Sequence, residues 1–416
     1  MTSFSIQSFG CRVNQAEAFT WTDSLQAGGL IYKEDAFSSD IILVNSCTLT
    51  GRADRDVRAF IRKVGRNNPE AKIFLTGCGV DRLAETLQLN SQIVSLLPNP
   101  EKKDLVETVL SMTGRGPVLS RVPYKSRMFI KVQDGCDYAC RFCVIPSVRG
   151  PSVSIGRDLI LTEARHAIER GFYEIVLTGV HVGLYGKDLS PPETFLDLLC
   201  EITALPGLGR IRLSSLDPRF LTDDFLSFIL TNEKICPHFH LSLQSGSDPV
   251  LRAMGRNIAV HRYGDILDVM RRLSPDAALG ADILVGFPGE TDEQFEETRS
   301  FLEKSPLTSF HVFSYSPRPG TPAAVLPKVT ERIVKERMKV LRRMSEVFHL
   351  SFRLRQRDRV LEAVVIKKAL KTNLCLTGNF VEVEVEDVDV NKGGMVPVRI
   401  TDVTPKKTRG LVEKDK

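Results

Sequence analysis

The sequence lacks the features that would place the chain in or across a membrane. No window holds about eighteen consecutive apolar residues, so we expect no membrane-spanning helix. The opening residues MTSFSIQSFG also lack a basic region followed by an apolar run, which argues against a secretory signal. We therefore expect a cytoplasmic protein. Its 416 residues suit two or three domains, and 42% hydrophobic content is typical of globular proteins.

The nine cysteines are an odd number, and a reducing compartment disfavours a disulfide framework. Metal binding or catalysis is therefore the better explanation for any cysteines that cluster. The net charge of +5 permits a polyanionic partner without requiring one, since an ordinary mildly basic enzyme can carry the same charge. Lys and Arg are denser toward the C-terminal end.

The first hundred residues repeat a pattern of apolar strand, cysteine and amphipathic helix. Cys11, Cys47 and Cys78 follow FSIQSFG, IILVNS and KIFLTG, and each precedes a helical run. Strands alternating with helices predict a parallel sheet, whose ligands bind beyond the carboxyl ends of the strands. The alternative is that the cysteines are small buried hydrophobes. Three cysteines at matched strand ends favour a shared ligand.

A second series of strands and helices predicts an incomplete β/α barrel with its chemistry at the carboxyl ends of the strands. Residues 97–124, rich in Pro, Gly and charge, are expected to form a domain boundary. A long charged helix over about 330–358 and a tail of short strands follow, and the tail predicts a small β-barrel. We expect an α/β protein with domains at 1–115, 122–352 and 355–416. The six predicted barrel strands are MFIKVQDG, YEIVLTGV, RIRLSSL, HFHLSLQSG, ALGADILVGF and FHVFSYSP.

Three more cysteines occur in GCDYACRFCVIP, directly after the first barrel strand. Cys136, Cys140 and Cys143 form a C-x3-C-x2-C array with no fourth thiol or imidazole nearby. Thiolates are the usual ligands of iron–sulfur clusters, and three of them leave one iron of a 4Fe–4S cluster open to substrate or cofactor. Phe142 fits a loop wrapped around such a cluster. A zinc site with a distant fourth ligand is the alternative.

This array after the first strand of a partial barrel resembles the radical S-adenosylmethionine (SAM) signature. Together with FGCRVNQAE, VNSCTLT and FLTGC, it is similar to the methylthiotransferase family over essentially the whole chain. The tail resembles that family's TRAM domain, a small RNA-binding barrel. The segments VNQAE and HVFSYSPRPGTPAA resemble the class that adds a methylthio group to carbon 2 of N6-threonylcarbamoyladenosine at position 37 of tRNA.

The resemblance implies two 4Fe–4S clusters. Cys136, Cys140 and Cys143 would hold the catalytic cluster, which binds SAM and generates a radical that abstracts hydrogen from the adenine. Cys11, Cys47 and Cys78 would hold a second cluster whose open iron suits an exogenous sulfur atom. The implied partners are the tRNA anticodon loop, a sulfur donor protein and an electron donor protein. No membrane partner is expected.

The resemblance also implies contacts to SAM at the ends of the barrel strands. Thr178 and Gly179 would receive the methionyl amino group, and Ser242 and Gln244 end the fourth strand, where Gln244 would contact the ribose or the carboxylate. The run from Asp282 through Gly286 to Gly289 would flank the adenine. Arg256 is a candidate for the methionyl carboxylate or a substrate phosphate, with a solvated surface arginine as the alternative.

Other residues receive no catalytic role. His181 stands where the family usually has Asn, and Val153 and Ile155 stand where it often has arginines, so no phosphate contact is carried over to that turn. His238 and His240 are expected to pack or to lie at the surface. Cys200 is expected to pack within an apolar helix, and Cys236 and Cys375 have no assignment. The basic residues expected to contact RNA phosphates are Lys367, Lys368, Lys371, Lys392, Lys406, Lys407 and Arg409.

Four other functions compete with this prediction. A methylthiotransferase could act on isopentenyladenosine in tRNA or on an aspartate of a small-subunit ribosomal protein, and VNQAE and the basic tail weigh against the latter. A radical enzyme that only methylates would not need the N-terminal cysteines. A non-enzymatic RNA-binding protein could use its metals structurally, but structural sites are normally closed by a fourth ligand.

Overall fold

The computed structural model describes residues 2–87, 90–114, 125–369, 372–386 and 388–413. The chain folds into two compact units. The first comprises residues 1–125, 134–137 and 143–151, and the second comprises 126–133, 138–142 and 152–416. Cys136 and Cys143 therefore belong to the first unit, and Cys140 belongs to the second. Among the described residues, no helix is both long and apolar enough to cross a membrane.

The first unit is built on a five-stranded sheet with strand order β2-β1-β3-β4-β5, and all of its pairings are parallel. The predicted parallel sheet is thus confirmed. Two 3₁₀ turns, at Ala36–Ser38 and Asn99–Asp104, and a short helix α5 at Ile145–Arg149 complete the unit. Its other strands and helices are β1 (Ser3–Ser8), α1 (Arg12–Ala27), β2 (Ile31–Tyr32), β3 (Ile41–Ser46), α2 (Gly51–Asn67), β4 (Lys72–Gly77), α3 (Val80–Leu87), β5 (Ile93–Leu97) and α4 (Leu105–Thr113).

The core of this unit forms because the central strand is apolar on both faces and the helices are apolar on one. All six residues of β3 are buried, as expected for a strand with helices on either side. In α2, Val57, Ile61 and Val64 recur at helical spacing and are buried against the sheet. The side chain of Thr50 accepts a hydrogen bond from the backbone N–H of Ala53 and so caps the start of α2.

The predicted boundary over 97–124 is wrong in its first half. The 3₁₀ turn and α4 occupy Asn99–Thr113, and Leu105, Val109 and Leu110 of α4 are buried. The apolar spacing in DLVETVLSM outweighs the Pro and Lys residues that precede it, because buried apolar contacts stabilise a helix more than local composition opposes it. The second half of the predicted boundary, 115–124, lies outside the described residues.

The second unit contains the six predicted parallel strands. Together with a seventh, two-residue strand that was not predicted, β7, they form a four-stranded sheet, β7-β6-β8-β9, and a three-stranded sheet, β10-β11-β12, and parallel bridges Ile211↔Ile235 and Leu216↔Leu241 link the two. The expected partial barrel is confirmed. Its elements are β6 (Met128–Asp134), β7 (Val153–Ser154), α6 (Arg157–Glu169), β8 (Glu174–Gly179), α7 (Phe195–Thr203), β9 (Arg210–Leu213), α8 (Asp223–Thr231), β10 (His238–Gln244), α9 (Asp248–Ala253), α10 (Val260–Leu273), β11 (Ala278–Val285), α11 (Asp292–Lys304), β12 (Ser309–Ser314) and α12 (Glu331–Leu354).

Strand alternation decides which side chains face the inside of this barrel. The ring of Phe310 lies against Phe348 of α12, with centroids 5.9 Å apart, so this face of β12 is covered by a helix. Neighbouring side chains of a strand point to opposite faces, which places His311 and Phe313 on the inner face. On β10, Phe239, Leu241 and Leu243 are buried, and His240, Ser242 and Gln244 alternate with them.

The tail is a closed barrel with strand order β13-β14-β15-β17-β16, which confirms the predicted small β-barrel. Three strands were expected and five are present; β14 and β17 are the two that the sequence analysis did not predict. The strands are β13 (Val360–Lys367), β14 (Asn373–Thr377), β15 (Glu382–Val385), β16 (Met395–Val403) and β17 (Thr408–Val412). Cys375 is fully buried in the apolar interior of this barrel, which gives it a packing role.

A buried charge network joins the partial barrel to the tail within the second unit. Glu174 accepts hydrogen bonds from Arg212 at 2.7 and 2.9 Å and from Arg210 at 2.8 Å. The same two guanidinium groups donate to four backbone carbonyls of the tail barrel, at Glu362, Leu376, Thr377 and Gly378. Burial would raise the pKa of Glu174, but Arg212, Arg210 and Arg127 outweigh burial and hold that pKa well below its ordinary value.

Candidate functional site

Cys11, Cys47 and Cys78 follow three adjacent strands of the first unit. Ser46 and Gly77 are paired at the ends of β3 and β4, so the next residue on each strand is a cysteine. Ser8 of β1 pairs with Asn45, and Cys11 follows three residues later. Gly10 passes so close to Cys47 that a Cβ at Gly10 would lie 2.4 Å from its Sγ. The fold therefore gathers all three thiols at one sheet edge, as the strand pattern predicts.

A buried arginine lies among these thiols. Nε of Arg149 is 3.0 Å from Sγ of Cys78, and its Nη2 donates to Oδ1 of Asn14 at 2.6 Å. The same Asn14 oxygen lies 3.6 Å from Sγ of Cys11. Arg149 also contacts Glu17 at 3.3 Å and Asp134 at 2.7 Å, and its side chain is fully buried. One guanidinium thus connects the C-terminal end of α5 to the cysteine site.

Asn14 and Glu17 are two of the three polar positions of the VNQAE segment, and the structure shows what they do. They lie three residues apart on α1, so both project from one face of that helix. Glu17 accepts hydrogen bonds from Arg149, from the amide of Asn45 at 3.0 Å and from Nζ of Lys102. Sequence reasoning used this segment only as a family signature and missed its contact with Arg149, which lies 132 residues later.

Burial and charge set the protonation of this site. Burial raises the pKa of Cys47 to about 12 and also raises that of Cys78, so both thiols are protonated at neutral pH unless a metal ion takes the place of the proton. Burial opposes the charge of Arg149, but Glu17 and Cys78 outweigh it and hold the Arg149 pKa above its ordinary value. The site therefore presents soft sulfur donors beside a permanent positive charge.

The loop with Cys136, Cys140 and Cys143 is fixed by backbone contacts within each unit. In the first unit, the N–H of Cys136 donates to the carbonyl of Gly150 at 3.1 Å. Gly135 has φ +69°, and a Cβ there would lie 1.8 Å from the carbonyl oxygen of Pro151, so only glycine fits. All three cysteines are partly buried.

In the second unit, the middle of the same loop is held against the residues that directly follow α9 and β11. The N–H of Arg141 donates to the carbonyl of Met254 at 3.0 Å. Phe142 packs with Phe287, their centroids 6.5 Å apart, in an apolar cluster that includes Leu284 and Phe313. The expectation that Phe142 contributes to a loop wrapped around a cluster stays a prediction.

Three predicted SAM contacts, Thr178 near the end of β8, Gln244 at the end of β10 and Arg256 just after α9, carry buried polar atoms without a hydrogen-bond partner among the described residues. These atoms are Oγ1 of Thr178, Oε1 of Gln244 and Nε of Arg256. Buried polar groups are normally paired, so each of these suits a polar ligand. Gln244 also has φ +78°, a strained conformation for a non-glycine residue that is typical of functional sites.

The remaining predicted contacts are placed as follows. Gly179 ends β8, where a Cβ would lie 2.9 Å from Oε1 of Gln133, so the glycine allows a close backbone approach. The carbonyl of Ser242 accepts from Arg256 at 2.7 Å. Gly286 has φ +76°, and its N–H donates to Glu290 at 2.8 Å. Arg256 is 4% exposed, so the alternative of a solvated surface arginine is wrong.

Comparison with known proteins identifies the family. Residues 130–302 match the Radical SAM superfamily, and residues 3–97 match uncharacterized protein family UPF0004. The threonylcarbamoyladenosine tRNA methylthiotransferase MtaB of Rickettsia prowazekii is 38% identical over 353 residues, 81% of each chain. Its namesake in Thermotoga maritima is 35% identical over 85% of this chain and 84% of that protein. This chain belongs to the methylthiotransferase family of radical SAM enzymes.

Membership of this family confirms the resemblance to methylthiotransferases that the sequence motifs indicated. The chain is therefore a radical SAM methylthiotransferase. The radical SAM methyltransferase TsrM of Kitasatospora setae, solved with cobalamin and a 4Fe–4S cluster, has a similar fold, with a TM-score of 0.55 over 78% of this chain and 77% of that one. At 16% identity this likeness concerns the fold alone.

An anionic centre that sequence reasoning missed lies in the barrel of this methylthiotransferase. Asp217, in the loop after β9, contacts Arg219 at 2.7 Å, Arg256 at 3.1 Å and His181 at 3.5 Å. Burial would raise the pKa of Asp217, but these three groups hold it well below its usual range. The guanidinium of Arg219 also lies 3.7 Å above the ring of Tyr138, which stands between Cys136 and Cys140. No motif in the sequence marks Asp217, because two of its three partners, His181 and Arg256, come from separate loops.

Cys200, His238 and His240 of this methylthiotransferase were all expected to pack or to lie at the surface, and the structure places each of them. Cys200 is exposed rather than packed, because the buried stripe of α7 runs through Phe195, Leu198, Leu199 and Ile202 and leaves Cys200 outside it. His238 packs as expected, stacked 4.1 Å from the ring of Phe380. His240 does more than pack, because its Nε2 lies 3.0 Å from Asp282.

The basic residues of the tail are exposed where the structure describes them, and Lys371 lies outside the described residues. Some of their charge is neutralised within the tail. Lys407 lies 2.7 Å from Glu384, and Arg409 lies 3.7 Å from Asp402. The positive face is therefore weaker than the residue count suggests.

Proposed function

We propose that this chain is the tRNA methylthiotransferase that adds a methylthio group to carbon 2 of N6-threonylcarbamoyladenosine at position 37, using two 4Fe–4S clusters and SAM. The observation that carries the proposal is the second set of cysteines. Cys11, Cys47 and Cys78 share one sheet edge with a buried guanidinium, in a chain that also has the C-x3-C-x2-C loop. The names of the related proteins supply the substrate.

The two sets of three cysteines fit the proposed 4Fe–4S clusters. Thiolates are the usual ligands of iron–sulfur clusters, and each set has three of them, which leaves one iron of each cluster open. Cys136, Cys140 and Cys143 would hold one cluster, and Cys11, Cys47 and Cys78 the other. The buried polar atoms of Thr178, Gln244 and Arg256 that have no hydrogen-bond partner within the described part of the chain suit a zwitterionic cofactor with ribose hydroxyls.

When bound, the clusters and SAM supply radical hydrogen abstraction and a sulfur atom at an open iron. The residues of the chain bind and orient these groups, and they exclude water from the site. Arg256 would neutralise the methionyl carboxylate of SAM, and Asp217 would hold the guanidinium of Arg256 in place. Arg149 donates toward the sulfur of Cys78 and so stabilises negative charge that sulfur ligands bring to the N-terminal site.

The tail supports a nucleic-acid substrate. Exposed lysines on a small barrel give phosphate contacts that add affinity without reading sequence. The reacting base must leave its stack to enter a barrel, and this costs less in a single-stranded loop than in a duplex. An anticodon-loop adenosine therefore suits the architecture.

The decisive experiment is nucleoside mass spectrometry of total tRNA from cells with and without the gene. Loss of 2-methylthio-N6-threonylcarbamoyladenosine with accumulation of its unthiolated parent supports the proposal. An unchanged level of that nucleoside overturns it. Loss of the methylthio derivative of isopentenyladenosine would support isopentenyladenosine in tRNA as the substrate. Loss of the methylthio group from an aspartate of a small-subunit ribosomal protein would support that protein as the substrate.

Iron analysis tests the second cluster separately. Replacing Cys11, Cys47 and Cys78 together with Ala should halve the iron bound per reconstituted chain and abolish methylthiolation while tRNA binding persists. Replacing Cys136, Cys140 and Cys143 should remove the other half. If the first variant keeps the full iron content, the N-terminal cysteines hold no cluster. If the protein were a non-enzymatic RNA-binding protein with structural metal sites, these cysteine variants would fail to fold rather than lose turnover.

A further inference from the structure

Three ligand-bearing side chains converge on the inner face of the partial barrel, away from any cysteine motif. They are His240 on β10, Asp282 on β11 and His311 on β12, three adjacent parallel strands. Asp282 pairs directly with His311, and His240 pairs with Gly280, two residues before Asp282. Residues two apart share a face of a strand, so register alone puts all three side chains on the same side.

The distances match those of a metal site. Nε2 of His240 is 3.0 Å from Oδ2 of Asp282, and Nδ1 of His311 is 3.6 Å from Oδ1 of the same carboxylate. One atom from each residue lies within 4.8 Å of the other two. Ligand atoms that each bind a metal at about 2.0–2.2 Å are about 3 Å apart, so small side-chain rotations complete the set.

Gly280 makes the room that this arrangement needs. A Cβ at position 280 would lie 2.8 Å from Nδ1 of His240, closer than side chains tolerate. The glycine therefore lets the imidazole lie across β11 toward Asp282. Side-chain exposure rises from 17% at His240 and 27% at Asp282 to 82% at His311, so the cluster is open on the β12 side.

We propose that His240, Asp282 and His311 bind a divalent transition-metal ion through two imidazoles and one carboxylate, leaving further coordination positions open. Imidazole ligands suit zinc and iron(II), and a facial set of two histidines and one carboxylate is typical of sites that also bind an exogenous ligand. This inference does not depend on the proposed substrate.

The site lies one layer below the apolar cluster that packs against the cysteine loop. Leu284 and Phe313 come two residues after Asp282 and His311 on the same strands and the same face. Both belong to the cluster that contains Phe142, the neighbour of Cys143. An ion here would lie inside the barrel, on the side of that apolar layer toward the amino ends of the strands. The proposed metal site gives Asp282 a role distinct from the adenine contact predicted from sequence.

Zinc is the probe for the test. Cluster-loaded protein is dialysed against Zn²⁺, bound zinc is counted by elemental analysis, and X-ray absorption at the zinc edge measures ligand distances. We expect about one zinc per chain with ligands at about 2.0–2.1 Å, the distance for nitrogen and oxygen, rather than about 2.3 Å for sulfur. The cluster iron does not contribute at this edge.

Variants locate the bound ion. His311→Ala should weaken zinc binding at least tenfold, and its exposed side chain can be removed without affecting the core. Gly280→Ala keeps all three ligands but displaces His240, and it should also weaken binding. His261→Ala removes an exposed histidine of α10 and is the control. The proposal is overturned if His311→Ala binds zinc as wild type does, if the ligands are sulfur, or if no zinc binds, in which case the three residues form only an ion pair.

Discussion

Nε of Arg149 lies 3.0 Å from Sγ of Cys78. This contact joins residues 71 positions apart and places the segment that follows Cys143 at the edge of the N-terminal sheet, within the first unit. Asn14 and Glu17 hold the other side of the same guanidinium. The positive charge is fully buried, and the carboxylates of Glu17 and Asp134 balance it, so Arg149 ties several parts of the first unit together.

Replacing Arg149 with Met should destabilise the cluster-free protein by about 3–5 kcal/mol, the usual cost of breaking a buried ion pair from one side. Methionine keeps much of the volume but leaves Glu17 and Asp134 without this partner. The measurement is the free energy of unfolding in denaturant at neutral pH. Arg66→Met on the exposed side of α2 is the matched control and should cost less than about 0.5 kcal/mol. Equal losses in the two variants would contradict the prediction.

Gly135 and Gly150 offer a second matched pair, because both have positive φ, at +69° and +77°. Among the residues that the structure describes, alanine at Gly150 meets nothing within 4 Å, and it should cost only the backbone strain, about 1–3 kcal/mol. Alanine at Gly135 adds a clash 1.8 Å from the carbonyl of Pro151, beside Cys136. Gly135→Ala should therefore lower both the melting temperature and the iron retained after reconstitution further than Gly150→Ala does. Similar iron retention in both variants would mean that the loop tolerates the shift.

The sequence predicts the sheet, the partial barrel and the tail because each follows from local periodicity. It also predicts that Cys11, Cys47 and Cys78 meet, because the carboxyl ends of parallel strands share one edge of a sheet. It could not predict Arg149 or Asp217. Most of their partners lie far away in the sequence, and only tertiary packing determines which polar side chain is buried against which. The position of His311 likewise depends on strand register, which no motif encodes.

The network around Glu174 predicts a pH dependence of stability. Its pKa in the folded chain is below the ordinary value of 4.5, so the folded state binds the proton less readily than the unfolded chain. The stabilisation is complete above about pH 4.5 and declines as the pH falls toward the folded-state pKa. Glu174→Gln should cost about 3 kcal/mol at neutral pH, because Arg212 and Arg210 stay buried.

The difference between wild type and Glu174→Gln should shrink as the pH falls from about 5 to 3. Denaturant unfolding of the cluster-free chain at several pH values measures this difference in the free energy of unfolding. Glu346→Gln, at an exposed position, is the control. A difference that stays constant over that range would show that the carboxylate charge does not stabilise the fold.

Contacts between the tail and RNA can be tested through charge pairs within the tail. Lys406 is exposed, and Lys406→Ala should weaken tRNA binding and reduce the slope of log affinity against log salt by about 1. Lys407 is partly neutralised by Glu384 at 2.7 Å, so Glu384→Gln should strengthen binding by releasing that charge. Fluorescence anisotropy with labelled tRNA at several salt concentrations measures both effects, and Lys103→Ala in the first unit is the control. If Lys406→Ala and Glu384→Gln change affinity in the same direction, phosphate attraction at this face is not what binds the RNA, because the two substitutions alter the local charge in opposite senses.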